Sequence, residues 1–300
     1  MPTSPGSAAM LRADNARNRL TGIALVSFTY VVFTLLDGSA KWLVGSVPVI
    51  VVVWLRFVSH ALLASLLLLP LRGKKLVATQ HLRWHIVRGA MFCAMTGINF
   101  WALQYLQLAV TSSIFFIVPI LIALMAAPML GEKLDAGRWI AIMAGFAGVL
   151  AIVRPGSAEF HPAMLLSLVN AALYALFNLT TRHLAAYDSP ETIQYLPALV
   201  ASLLLAPFAL AGWESPGSWL EWSVLGLLGV LGGLGHYLLA LAHRYAPATV
   251  IAPFLYQQVI YMALFGYLVF GDVPGAGVWV GAAIVIASGL YLFARERSRA

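Results

Sequence analysis

Apolar runs near 20–43, 48–70, 85–105, 109–130, 137–153, 162–181, 192–212, 222–242, 248–270 and 275–293 dominate the chain, with short polar segments between them. A helix needs roughly 20 mostly apolar residues to cross a hydrocarbon layer. Most of these runs reach that length, and the stretch from Ala109 to Leu130 does so without a single charge. The shortest is 137–153. Pro48, Pro155 with Gly156, Pro190, Pro216 with Gly217, and Pro274 punctuate the connections. The pattern predicts an all-α polytopic membrane protein of ten transmembrane helices.

Composition agrees. Of the 300 residues, 61% are hydrophobic and 10% charged, against roughly 25% charged in soluble domains. So few charges cannot cover a water-soluble body of this size. The placement of the basic residues orients the spans, because cytoplasmic loops collect Lys and Arg. With the N-terminus inside, the inner segments hold Arg12, Arg17, Arg19, Arg72, Lys74, Lys75, Arg83, Arg88, Lys133, Arg138, Arg182, Arg244, Arg295, Arg297 and Arg299. That is fifteen of eighteen. Lys41 and Arg154 fall outside, and Arg56 lies within the second span. The expectation is a multi-pass protein of the bacterial inner membrane with both termini cytoplasmic.

The net charge of +7 raises nucleic-acid binding, but no basic stripe with interleaved aromatics exists, so no nucleic-acid partner is expected. Cys93 is the sole cysteine, which excludes an intrachain disulfide and a Cys-based metal site. No cofactor or metal is expected. The polar start through Arg19 lacks an apolar core with a cleavage site, so no cleavable signal is expected.

The chain repeats itself. At an offset of 140, Tyr105, Gly131, Glu132, Gly137 and Trp139 fall on Tyr245, Gly271, Asp272, Gly277 and Trp279. At 141, Phe33, Asp37, Lys41 and Leu43 fall on Tyr174, Asn178, Arg182 and Leu184, and at 137 residues 64–68 fall on 201–205. The organisation predicted is an N-terminal segment 1–19, five-helix repeats at 20–156 and 157–295, and a tail 296–300. Five spans per repeat is odd, so the second repeat is inverted. Inverted repeats recur in secondary transporters, whose substrate site lies near the midplane between them.

The run Ala102-Leu103-Gln104-Tyr105-Leu106-Gln107-Leu108-Ala109, then Pro119, then Leu130-Gly131-Glu132, resembles the signature of the EamA-type drug/metabolite transporters. Ala246-Pro247-Ala248, Ala252-Pro253-Phe254 and Phe270-Gly271-Asp272 repeat it. The resemblance runs from about residue 20 to residue 295 and is greatest to the bacterial amino-acid exporter branch, which includes exporters of aromatic amino acids. Where many members open the first helix with Trp-Gly, this chain has Phe33-Thr34, and Lys41 falls on the common Lys that follows. The resemblance implies a central cavity, alternating access without ATP, and export of amino acids, aromatic and other neutral ones. Drugs or other small metabolites are the alternative cargo, and a channel the alternative mechanism. The implied partners are a small-molecule substrate and the bilayer, with the chain as monomer or homodimer. An enzyme is not expected: neither HExxH nor GxSxG occurs.

Ionisable groups within spans are costly and face cavities or partners. Asp37 and Lys41 are i,i+4 neighbours on the first span, and Arg56 lies about 12 Å along the second. They form either a buried ion network or a set with one cation free for a carboxylate. His60 and His236 are read as packing residues. A second set is aromatic and amide: Tyr30, Asn99, Trp101, Asn170, Tyr174, Asn178, Tyr256, Gln257, Gln258 and Tyr261. Such groups line small-molecule cavities, or anchor spans and bond across helices. Pro119 and Pro253 are hinges or fixed kinks. Glu132 and Asp272 are helix-end caps or gate contacts. Gly277 with Gly281, Gly145 with Gly148, and the glycines of 226–235 are expected to bring helices close.

Overall fold

The computed structural model describes residues 15–130, 136–184, 187–246 and 252–297. Among the described residues every regular element is helical. The helices are α1 (Ala16–Leu43), α2 (Val49–Arg72), α3 (Leu82–Leu103), α4 (Leu108–Phe115), α5 (Val118–Leu130) and α6 (Ala136–Val153). They continue as α7 (Ala163–Leu184), α8 (Pro190–Ala211), α9 (Trp219–Tyr245), α10 (Gln258–Phe270) and α11 (Ala276–Arg297), and a 3₁₀ segment at Ala252–Gln257 leads into α10. Six of them, α1, α2, α3, α7, α8 and α9, are long and apolar enough to cross a membrane. The others are shorter apolar helices.

The uncharged run read as one fourth span is two helices. Pro119 has no N–H to bond the carbonyl four residues back, and the chain resets ahead of it. The Ile117 N–H turns to Ile114 O, three residues back, at 3.2 Å. Pro119 thus sits in the first turn of α5, where a missing N–H costs nothing. The ninth span is divided too, with the backbone of Pro253 in its 3₁₀ segment. These breaks keep the repeat's register: α5 and α10 begin at residues 118 and 258, end at 130 and 270, and are followed by helices beginning at 136 and 276. Each bound shifts by 140.

Packing follows the same exchange. α1 lies most extensively on α9, and its repeat counterpart α7 packs on α3. α2 packs on α9 and α8 on α3, while α6 pairs with α11. The first helix of each half is therefore buried against the other half. Glycines allow the closest approaches. A Cβ on Gly148 would stand 2.9 Å from the Gly281 carbonyl, and one on Gly229 would meet the His60 backbone nitrogen at 2.6 Å. Small residues serve helix contact at these positions, as the sequence predicts, whereas Gly226, expected to do the same, has nothing within 4 Å of where its Cβ would stand.

Polar contacts tie the start of α3 to the connection between α7 and α8. His85 Nε2 lies 2.9 Å from Asp188 Oδ2, both side chains at most 5% exposed, and the Thr79 hydroxyl donates to the same oxygen at 2.9 Å. Arg88, counted from sequence with the inner segments, does not face water. It lies in the second turn of α3, buried, donating to Ile193 O and Thr181 Oγ1 with Phe177 under its guanidinium. His85→Ala leaves a buried carboxylate short of a partner, a loss of about 2–3 kcal/mol. The melting temperature in detergent should fall, and His85→Gln, which keeps a donor, should recover most of it. A melting temperature unmoved by His85→Ala would show that the contact does not hold the halves together.

Candidate functional site

A cavity of about 320 Å³ opens between the two halves, at the lower end of the range for small-molecule sites. Its wall comes from α1, α2, α3, α4, α5, α7, α9, α10 and the 3₁₀ segment. Residues at equivalent places in the repeat face it in pairs: Phe33 and Tyr174, Asp37 and Asn178, Thr96 and His236, Val118 and Gln258. The backbone is duplicated and the chemistry is not. One half supplies a carboxylate where the other supplies an amide.

Asp37 and Arg56 mark one pole. Asn99 Nδ2 donates to Asp37 Oδ1 at 3.2 Å, and Arg56 Nη1 donates to Thr96 Oγ1 at 3.2 Å. The Arg56 guanidinium lies over Phe57, Phe92 and Phe100, with centroids at 4.8, 5.2 and 6.0 Å. Cations over ring faces gain attraction even when desolvated. Asp37 is the one acid and Arg56 the one permanent cation among the described residues lining the cavity. Their charges balance, yet no ion pair joins them.

The other pole lies between α4 and α7. Thr111, Ser112, Ser167 and Asn170 face the cavity there, all buried. A chain of rings runs along and behind the wall. Tyr30 meets Phe33 at 6.4 Å and Phe33 meets His236 at 5.2 Å. Phe92 and Phe177 continue it behind the wall, and Tyr174 closes it against Phe115 at 4.8 Å. A cargo with a flat ring and polar ends fits such a wall.

The residues predicted from sequence divide into four groups. Tyr30, Asp37, Arg56, Asn99, Tyr174, Asn178 and Pro119 line the cavity. Lys41 does not join Asp37 and Arg56, because α1 carries it to the end of the bundle. There its ammonium donates to Asp272 Oδ2 at 2.8 Å and Leu106 O at 2.9 Å, so the proposed three-residue network does not form. Gly271, at φ +70°, ends α10 and turns Asp272 towards Lys41. Together these contacts tie α1, the α3–α4 connection and the end of α10.

Trp101 is 51% exposed and off the cavity. Tyr256 packs edge-on against Phe116, and Gln257 bonds Ser27 and Tyr261. The register of α10 turns Gln258 inward in their place. The side chain of Pro253 and all of Glu132 lie outside the described residues. His236, read from sequence as packing, borders the cavity. Thr96, Thr111, Ser112 and Ser167 carried no signal, since single hydroxyls are common in membrane helices.

A ring-lined, largely apolar cavity with few polar groups, held between duplicated bundles of membrane helices, defines a carrier of small molecules. The chain belongs to the EamA-like transporter family, whose model matches residues 20–154 and again 161–294. It is a multi-pass small-molecule membrane transporter. It is 33% identical to a riboflavin transporter of Vibrio cholerae over 70% of this chain and 71% of that one. It is 25% identical to an S-adenosylmethionine uptake transporter of Rickettsia prowazekii, covering 95% and 96%. A pseudopaline exporter of Pseudomonas aeruginosa is 24% identical, covering 89% and 94%. A solved crystal structure superposes with TM-score 0.60 at 18% identity, over 94% of this chain and 99% of the other; it shows a shared fold.

Proposed function

We propose that this protein carries riboflavin, or a flavin close to it, across the bacterial inner membrane by alternating access. The two halves would form ten spans, the divided α4–α5 and 3₁₀–α10 stretches counting as one each, with the second half inverted and both termini cytoplasmic. The observation that carries the cargo is the cavity: aromatic rings and polar groups line one space, with one acid offset by one cation. Riboflavin is uncharged, planar along its ring system and rich in hydroxyls. Such a wall suits it, and the relatives named riboflavin transporters support the choice.

The amino-acid export implied by the sequence resemblance finds no support in the names of these relatives. S-adenosylmethionine is the second reading, favoured by Asp37 and Arg56 facing one cavity without pairing, as a zwitterionic head group requires. Its net positive charge fits a balanced wall less well.

Counterflow in proteoliposomes separates these cargoes. Vesicles loaded with unlabelled riboflavin, S-adenosylmethionine or phenylalanine are given labelled riboflavin outside. Riboflavin-loaded vesicles should show a transient overshoot, and phenylalanine-loaded ones none. No overshoot over empty liposomes would overturn the flavin reading.

A further inference from the structure

We infer that the pole between α4 and α7 reads the pyrimidine-dione edge of the flavin ring, with Asn170 and Ser167 as the residues that bond it. This rests on the flavin reading of the same cavity. Buried polar atoms are nearly always partnered, yet Asn170 Oδ1 and Ser167 Oγ have no hydrogen-bond partner. Their residues are 6% and 3% exposed, and both line the cavity. They are three apart on α7 and so share a face.

Across from them, the Thr111 and Ser112 hydroxyls donate back to Leu108 O at 2.9 Å and Ala109 O at 3.2 Å. Their protons are taken, and their oxygens are left as acceptors. Among the side chains of this pole that face the cavity, the ones left without any partner are therefore on α7; Ser113 Oγ on α4 is also unpartnered but does not face the cavity.

The chemistry of the flavin edge matches that capacity. It presents a carbonyl, the N3–H and a second carbonyl: acceptor, donor, acceptor. Its complement is donor, acceptor, donor. A carboxamide holds an acceptor and donors in one plane. Asn170 can take the N3 proton on Oδ1 while its amino group donates to one carbonyl, and Ser167 donates to the other. Either orientation of the carboxamide supplies the same two-point pairing. Tyr174, one turn further along α7, stands with Phe115 beside the ring. That leaves the sugar-alcohol chain for Asn99, Asp37 and Arg56.

The test is quenching of flavin fluorescence by the purified full-length protein, titrated with riboflavin, 3-methylriboflavin and lumichrome. The methyl group removes the N3 proton, and lumichrome lacks the sugar-alcohol chain. In the wild type, 3-methylriboflavin should bind about 10- to 100-fold more weakly than riboflavin. In Asn170→Ala that gap should shrink to below about 3-fold, and lumichrome should lose affinity in the same variant. Ser167→Ala, a smaller change, should narrow the gap part of the way and serves where Asn170→Ala does not fold. Riboflavin binding without an N3-methyl gap, or with an equal gap in wild type and variants, would overturn this subsite and leave the cargo standing. Absence of riboflavin quenching by folded wild-type protein would overturn both.

Discussion

Gly281→Val should abolish accumulation of the folded protein. A Cβ at position 281 would stand 2.5 Å from the Gly148 carbonyl oxygen and 2.9 Å from the Ile152 nitrogen. Both are backbone atoms of α6, which no rotamer change can move aside. α6 and α11 form one of the two most extensive helix pairs in the bundle. Separating them by the width of a branched side chain strips that contact along much of its length. In membranes, close van der Waals packing is the main force holding helices together, and total stabilities are only about 5–15 kcal/mol. Gly226→Ala is the control, since a Cβ there meets nothing within 4 Å. Size-exclusion chromatography of fluorescent fusions should give a monodisperse peak for Gly226→Ala and none for Gly281→Val. A normal peak for Gly281→Val would show that α6 and α11 are not packed as described.

The second large effect concerns charge. Removing Arg56 leaves Asp37 alone in a low-dielectric wall, and removing Asp37 does the same to Arg56. Each single neutral variant, Arg56→Gln or Asp37→Asn, should lose about 3 kcal/mol of stability, the scale for stranding a buried charge. The double variant strands neither. It should be more stable than either single one, while counterflow stays low because the pole has lost its polar contacts to the cargo. The measurement is the apparent melting temperature of all four proteins in one detergent. Additive losses in the double variant would show that the two groups do not compensate each other.

The helices were legible because lipid permits little else: backbone groups must be satisfied within the segment, so long apolar runs become helices. The repeat was legible through Gly271, Asp272, Gly277 and Trp279, whose spacing recurs 140 residues earlier. The division of the fourth span at Ile117 was not, since hydropathy runs through it unbroken and Pro119 is compatible with a bent helix. Half of the site could be read for a similar reason. Tyr30, Asp37, Arg56, Asn99 and Tyr174 are costly or conspicuous in lipid, which marks them wherever they fall. The partner of Lys41 lies 231 residues away, and no local spacing announces Asp272. Gln257 and Gln258 are adjacent and chemically identical. Only the 3₁₀ turn before α10 decides that the first bonds Ser27 and the second faces the cavity.

The exchange of packing partners has a consequence for synthesis. α1 enters the bilayer well before α9, the helix it lies on, which ends at Tyr245. α3 likewise waits for α7. Through most of translation, the faces of α1 bearing Tyr30 and Phe33 have only lipid or an insertion chaperone to cover them. A ribosome that stalls before α9 therefore releases a chain whose polar groups are still exposed to the bilayer, an open target for membrane proteases. The same wiring means that neither half can be made in advance and stored. Two genes, each encoding one half, would yield carrier only where both products are inserted together.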